Sequence, residues 1–133
     1  MRVLALDYGL ARIGCALSDP SGTLVRPLEV IEPPDPAAVA ALAAEEDAEA
    51  IVVGLPLGLG GEEGEQARAT RDFCERLGAA TPVPVETYDE RLTTRMAAAS
   101  RRAGARAAED SLAAAHLLEA YLAARGGGSD DDS

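Results

Sequence analysis

The chain has no lysine and no tryptophan, and its 133 residues include one phenylalanine and two cysteines. Its 12 basic residues, all arginines, are outnumbered by 23 acidic ones, which gives a formal net charge of −11. This balance argues against a protein that binds nucleic acid non-specifically through a broad basic surface. Cys15 and Cys74 also lack the spacing of a metal site, so we expect both to be buried free thiols.

Long apolar runs are absent as well. No stretch approaches the roughly 18 consecutive apolar residues of a membrane helix, and Met1 leads directly into a strand pattern without the features of a signal peptide. Together with the free cysteines, this favours a cytoplasmic protein without a membrane partner. The length is typical of one domain, predicted over residues 1–125, followed by a disordered acidic tail over residues 126–133.

The order of the predicted elements favours an α/β fold with a mixed sheet of five strands. Three strands with short connections indicate an antiparallel meander, and Pro27 favours an edge position for the third. Helices and strands then alternate, as expected for α/β crossovers with helices on both faces of the sheet. The predicted strands are residues 2–7, 13–18, 23–31, 50–54 and 83–88, and the predicted helices are residues 36–47, 63–77, 93–103 and 109–124.

Acidic residues stand at the ends of two predicted strands. Asp7 ends the first strand, which is apolar enough to be buried on both faces, and Gly9 follows it closely. A carboxylate in such a place is costly to desolvate unless a cation, a donor or water meets it, and Gly9 would let a ligand approach the backbone. Asp89 and Glu90 follow the last strand, at the kind of edge where α/β proteins collect ligands.

Asp110 is the third candidate acid. An acid at the start of a helix is favoured by the helix macrodipole alone, so its position does not by itself indicate a function. Its row on the helix favours a functional role, because that row is apolar and is expected to pack on the sheet. The other members of the row are Ala113, Ala114, Leu117 and Tyr121.

Convergence of Asp7, Asp110 and an acid after the last strand, Asp89 or Glu90, would give a site made only of oxygen ligands. Such a site suits Mg²⁺ or Mn²⁺ rather than a softer metal. Two such ions about 4 Å apart can activate a water and stabilise the leaving oxygen in phosphodiester cleavage. The spacing along the chain does not prove that the three acids meet.

Arginines near these acids are candidate phosphate ligands. Arg12 follows the first strand, Arg91 follows the last strand, and Arg95 lies in a segment with several arginines. Arginine binds phosphate bidentately, but each of the three also fits a solvated surface or an ion pair, so both interpretations stay open. His116, the single histidine, is turned away from Asp110 by helical spacing and is expected to be an ordinary helix residue.

Four segments resemble, in the same order, those of the YqgF or RuvX family, which comprises Holliday junction resolvase-like proteins of the RNase H-like superfamily. They are residues 6–19 with Leu6-Asp7-Tyr8-Gly9, residues 51–57 with Val53-Gly54-Leu55-Pro56, residues 89–94 with Asp89-Glu90-Arg91-Leu92, and residues 110–122. The resemblance covers nearly the whole chain except the tail. It implies an RNase H-like fold for the predicted mixed sheet.

The resemblance also implies a metal-dependent nuclease, in which Asp7, Glu90 and Asp110 are the catalytic residues and the ligands of Mg²⁺ or Mn²⁺. The implied substrate is nucleic acid, either the 5′ end of the 16S ribosomal RNA precursor in ribosome biogenesis or branched DNA. The three arginines above would then bind the substrate. Residues 57–61 depart from the family, because leucine and glycine stand where asparagine and aspartate are common.

Two other functions fit parts of the sequence. An actin-like ATPase shares the fold class and an aspartate-x-glycine turn such as Asp7–Gly9, but it needs two domains to enclose a nucleotide. A non-catalytic factor of the same fold that binds RNA or a ribosome-assembly partner fits the acidic net charge. The sequence leaves open RNA or DNA as substrate, and a monomer or a homodimer as the active form.

Overall fold

The computed structural model describes residues 1–93 and 106–129, and its elements follow the predicted order. The strands are β1 (Val3–Tyr8), β2 (Ile13–Ser18), β3 (Val25–Ile31), β4 (Ala50–Leu55) and β5 (Val85–Asp89). The helices are α1 (Pro36–Glu45), α2 (Glu65–Ala80) and α3 (Arg106–Ser129), and a 3₁₀ turn, Glu90–Leu92, follows β5. None of these described helices is long and apolar enough to cross a membrane.

Strand β1 lies at the centre of a five-stranded sheet with the order β3-β2-β1-β4-β5. The first three strands pair in antiparallel fashion, whereas β4 is parallel to β1 and β5 is parallel to β4. The predicted meander with crossovers is therefore confirmed, and Pro27 does lie in an edge strand. Because β1, β4 and β5 run in the same direction, their carboxyl ends meet at one edge of the sheet.

The two faces of the sheet carry separate cores. Leu4 and Leu6 of β1 belong to the core with α1 and α2, whereas Val3 and Ala5 belong to the core with α3. Side chains alternate between the faces of a strand. Asp7 therefore follows Val3 and Ala5 on the α3 face, at the carboxyl edge.

Strand β3 and helix α2 each begin two residues later than the sequence predicts. Strand β3 begins at Val25, because the carboxylate of Asp19 accepts hydrogen bonds from the N–H groups of Thr23 (2.8 Å) and Leu24 (3.0 Å) and keeps them in a turn. Helix α2 begins at Glu65, after an N-cap that has no side chain to bond the helix. The hydrogen bonds of Asp19, which hydrophobic periodicity does not register, thus set the start of β3.

Helix α3 is longer than the sequence predicts. It begins at Arg106 and ends at Ser129, so residues 126–129 are helical where we expected a disordered tail. Residues 130–133, and all but the first residue of the helix predicted over 93–103, lie outside the described residues. That first residue, Thr93, follows the 3₁₀ turn and donates its N–H to the carbonyl of Glu90 at 3.1 Å.

Candidate active site

Asp7 lies between two glycines on the neighbouring strands. It pairs directly with Gly14 of β2. On the other side Leu6 pairs with Val53 of β4, so the register places Gly54 next to Asp7. Residues that lie opposite each other on adjacent strands project to the same face. The partly buried side chain of Asp7 therefore stands on the α3 face between two positions that carry no side chain.

The first glycine lets α3 reach the sheet at Asp110. A Cβ atom built on Gly14 would overlap the backbone carbonyl of Asp110, so only glycine admits this approach. The next residue, Ser111, fixes the contact: its hydroxyl donates to the Leu28 carbonyl at 2.6 Å and accepts from the Cys15 N–H at 3.3 Å. Ser111 is 3% exposed. Asp110 is thus held over the strand next to Asp7.

The second glycine makes room for Glu90. A Cβ atom on Gly54 would lie 2.7 Å from Glu90 Oε2 and 3.0 Å from its Cγ, so the Glu90 side chain lies over the end of β4 on the α3 face. The 3₁₀ turn that carries Glu90 is capped by Asp89, whose carboxylate accepts from the Arg91 N–H at 2.9 Å. Both glycines thus make space for a carboxylate beside Asp7.

Asp7, Glu90 and Asp110 therefore come from three distant segments to one region of one face. Within residues 1–93 and 106–129, no cluster of three His, Cys, Asp or Glu side chains has the geometry to hold a metal ion. The three carboxylates share a face without forming a closed set of ligands in this conformation. Their convergence follows from the glycines, and their closure would take side-chain movement.

Arg12 contacts one of these acids. Its Nη1 lies 3.4 Å from Asp110 Oδ2 and its Nη2 lies 3.8 Å from Glu32 Oε2. The backbone of Arg12 is fixed by a tight hairpin, in which the Gly9 N–H donates to the Arg12 carbonyl at 3.0 Å. Gly9 therefore serves the hairpin rather than the ligand approach that the sequence led us to expect. The glycines that open the site, Gly14 and Gly54, were missed.

Arg91 forms an ion pair with Asp89 and donates hydrogen bonds to the loop after β4. Its Nε and Nη2 donate to the carboxylate of Asp89 at 2.7–3.0 Å, which holds the pKa of that carboxyl below its usual range. Its Nη1 donates to the carbonyls of Leu59 (3.0 Å) and Gly58 (3.4 Å) in the loop after β4. Of the two interpretations left open for Arg91, the structure shows the ion pair. Arg95 lies outside the described residues.

Other reactive side chains take no part in this region. His116 is 12% exposed and its Nδ1 lies 3.4 Å from Glu119 Oε1. Cys15 is buried as expected, and burial raises the pKa of its thiol to about 12. Cys74 is only half-buried, contrary to expectation, because it lies at the edge of the inward face of α2. Desolvation still raises the pKa of Cys74 to about 11, so neither thiol is activated.

The residues present fit a hard divalent cation. The donor set consists of carboxylate oxygens alone, which is the chemistry that Mg²⁺ and Mn²⁺ prefer. The Glu90 carboxylate and the Asp110 backbone reach the two glycines beside Asp7. The guanidinium of Arg12 contacts one of these acids, Asp110.

The fold matches that of two solved RuvC structures. A structure titled as Thermus thermophilus RuvC in complex with a Holliday junction substrate aligns with a TM-score of 0.62 and 20% identity over 96% of each chain. A second structure of Thermus thermophilus RuvC aligns with a TM-score of 0.54 and 21% identity, over 96% of this chain and 97% of that one. At this level of identity the likeness defines the class of fold, which is RNase H-like.

The family is defined by sequence. The model described as "RuvX: Holliday junction resolvase" matches residues 1–124, and the chain belongs to this family. Relatives from Anaeromyxobacter sp. (strain Fw109-5) and Rubrobacter xylanophilus are each 44% identical, over 94% and 95% of this chain and 98% and 95% of their own lengths. Both are named "Putative pre-16S rRNA nuclease". The resemblance seen in the sequence, and the nuclease class that it implies, are thereby confirmed.

Proposed function

We propose that the chain hydrolyses phosphodiester bonds in nucleic acid, with Asp7, Glu90 and Asp110 as its catalytic carboxylates. The observation that supports this assignment most strongly is the pair of glycines, Gly14 and Gly54, beside Asp7. They let one carboxylate from α3 and one from the turn after β5 reach the same face. Such a convergence has no evident value for stability, because clustered acids repel one another.

The three carboxylates would hold one or two ions of Mg²⁺ or Mn²⁺. A divalent ion supplies Lewis-acid chemistry to phosphodiester hydrolysis when it is bound. Asp7 lies in the central strand, β1. Asp110 is positioned by Ser111, and Glu90 sits on a capped turn, where its carboxylate is placed to orient an attacking water by accepting a hydrogen bond.

The arginines take different roles in this proposal. Arg12, half-buried beside Asp110, is placed to bind a phosphate of the substrate. Arg91 positions the loop that follows β4, because its donors are bound to Asp89 and to the carbonyls of that loop. Arg95 is proposed as a further phosphate ligand, on the basis of its place in the arginine-rich segment of the sequence.

We propose the 5′ end of the 16S ribosomal RNA precursor as the substrate, because both relatives reported above are named as pre-16S rRNA nucleases. Branched DNA is the second candidate, since the family is described as a Holliday junction resolvase. We further propose a cytoplasmic location and action as a monomer or homodimer. The structural neighbours share the fold alone and do not decide between RNA and DNA.

A cleavage assay tests the proposal. Purified protein is incubated with Mn²⁺ and, in parallel, single-stranded RNA that contains the precursor end, single-stranded DNA and a four-way DNA junction. We expect RNA cleavage that Asp7→Asn reduces about a thousandfold or more, since a metal-bound acid contributes several kcal/mol to the transition state. The matched control is Asp72→Asn, which removes an exposed acid from α2 on the opposite face.

A non-catalytic binding factor is the alternative that the net charge of −11 favours. It predicts RNA binding without turnover. Complementation of precursor processing in cells separates the two functions. If the chain is a nuclease, the Asp7→Asn variant should fail to restore processing. If the chain only binds RNA, the variant should restore processing fully. In the second case the carboxylates would be a remnant of the fold.

A further inference from the structure

Two residues that the proposed function assigns to different ligands contact each other in the structure. Asp110 is a proposed cation ligand and Arg12 a proposed phosphate ligand, yet Arg12 Nη1 lies 3.4 Å from Asp110 Oδ2. The guanidinium neutralises part of the negative charge on Asp110 and repels a divalent cation that approaches the same carboxylate. The guanidinium and a cation therefore compete for Asp110 in this conformation.

We infer that Arg12 is an exchangeable counter-ion, which neutralises Asp110 while no cation is bound and turns to a substrate phosphate once a cation is bound. This inference rests on the proposed function, because it takes Asp110 as a cation ligand. Arg12 thereby couples the two binding events: the cation displaces the guanidinium, and the displaced guanidinium serves the phosphodiester.

The contact has the properties of a pair that exchanges easily. Its 3.4 Å separation exceeds the 2.7–2.9 Å of strong charge-assisted bonds. By contrast, Arg91 lies 2.7 Å from Asp89, with several further bonds. The Arg12 and Asp110 side chains are 26% and 32% exposed, so water can solvate both groups during the exchange.

The surroundings keep Arg12 near the site after the exchange. Its backbone is held by the Gly9 N–H bond and by the start of β2 at the next residue, so only the side chain needs to move. Glu32, at 3.8 Å from Nη2, offers a second carboxylate outside the proposed cation set. The guanidinium would thus pivot between acids and substrate rather than leave the site.

The test uses two measurements with opposite expected signs. Isothermal titration of the metal-free full chain with Mn²⁺ gives the cation affinity, and fluorescence anisotropy of a labelled RNA in excess Ca²⁺ gives the nucleic-acid affinity. Arg12→Ala should tighten Mn²⁺ binding about two- to fivefold, which is the contribution of a partly exposed ion pair. The same variant should weaken RNA binding about fivefold or more, because a bidentate phosphate contact is lost.

The control, Arg26→Ala, causes the same change in net charge. Arg26 is paired with Glu46 at 3.8 Å, and its strand neighbour Leu17 lies opposite Leu4, at the other end of β1. Neither affinity should change by more than about 1.5-fold in this variant, because exposed charges at that distance are screened. A comparable tightening of Mn²⁺ binding by Arg26→Ala would reduce the effect to general electrostatics and overturn the inference.

The remaining outcomes separate this inference from the proposed function. If Arg12→Ala weakens both affinities, Arg12 is a structural residue, and if the Mn²⁺ affinity stays the same, Arg12 is not a counter-ion; either result overturns the inference. If the RNA affinity alone is unchanged, the phosphate role is overturned. If Asp110→Asn binds Mn²⁺ as tightly as the wild type does, the proposed cation site itself fails, whatever Arg12 does.

Discussion

The two faces of the sheet are made by alternate residues of the same strands, yet they are built to different sizes. The face under α1 and α2 is filled by large side chains, among them Leu4, Leu6, Ile51 and Phe73. On the face under α3 the strands contribute smaller side chains, and the large ones come from the helix: the strand residues are Val3, Ala5, Ala16, Ala50 and Val52, and the helix residues include Leu117, Leu118 and Tyr121. One face therefore fills its space with apolar volume, and the other brings a helix close to the backbone.

This difference explains where the candidate site lies. Small residues let α3 approach along its length, and at the carboxyl edge the small residue becomes glycine, at Gly14 and Gly54. The space left there is taken by the Asp110 backbone and the Glu90 side chain, next to Asp7. Stability is thus assigned to one face and chemistry to the edge of the other, and substitutions should separate the two.

The largest expected effect is on the large-residue face. Phe73 is 1% exposed and stacks on Tyr8 with ring centroids 4.6 Å apart. Phe73→Ala should lower the free energy of unfolding by about 3–5 kcal/mol, through lost burial and a cavity, as measured by urea denaturation. Below its melting temperature the variant should bind Mn²⁺ as the wild type does. A large loss of Mn²⁺ affinity would show that the cavity displaces Tyr8 and, through it, the neighbouring Asp7. The stability of one face and the cation site on the other would then not be separable.

The next effect is on the glycine pair. Gly14→Ala places a Cβ atom against the Asp110 backbone, so α3 must shift near its start. We expect the cleavage rate to fall about tenfold or more. The free energy of unfolding should fall by about 1–3 kcal/mol. Gly54→Ala meets the flexible side chain of Glu90, so its destabilisation of the fold should be smaller. Gly78→Ala, in α2 with open space around it, is the control and should stabilise the fold by up to about 1 kcal/mol. If Gly14→Ala were as active as the wild type, the role given to Gly14 in positioning Asp110 would be contradicted.

The acids of the candidate site were predicted from the sequence, but the role of the two glycines beside Asp7 was not. Asp7 and the pair Asp89–Glu90 could be proposed because strand ends are visible in the apolar pattern, and the family resemblance selected Glu90. Asp110 could be proposed because its helical row is apolar. The role of Gly14 depends on the register of the hairpin and on contact with a residue far along the chain, neither of which has a local signal. A glycine inside a strand pattern is the one available sign of close backbone approach.

The ion-pair partners of the arginines could not be selected from the sequence either. The sequence gives the charge of Arg12 and Arg91, and only the packing decides that one meets Asp110 and the other clamps Asp89 to a loop. Helix and strand types were predictable because burial repeats with a period. Ion pairs have no period, and each candidate had several acids within plausible reach along the chain.

The smallest effect concerns the cysteines, and it tests how closed the large-residue face is. Burial raises the pKa of Cys15 to about 12, whereas an unfolded thiol titrates near about 8.5. The folded state therefore holds this proton more tightly, and the free energy of unfolding should fall as the pH rises above about 8.5, by about 1 kcal/mol at pH ~9. Urea denaturation at pH 7 and 9 measures the change. Cys15→Ala should remove about half of the total pH dependence, because the raised pKa of Cys74 contributes with the same sign.

Thiol labelling of the native protein at neutral pH gives the independent measure. Cys74 is half-buried on α2 and Cys15 fully buried in β2, so Cys74 should react slowly and Cys15 only when the fold opens. Because reaction of Cys15 requires opening, its rate should rise in Phe73→Ala far more than in Gly14→Ala. Equal acceleration by both substitutions would mean that the small-residue face also holds the large-residue face closed, and the division between stability and chemistry would be lost.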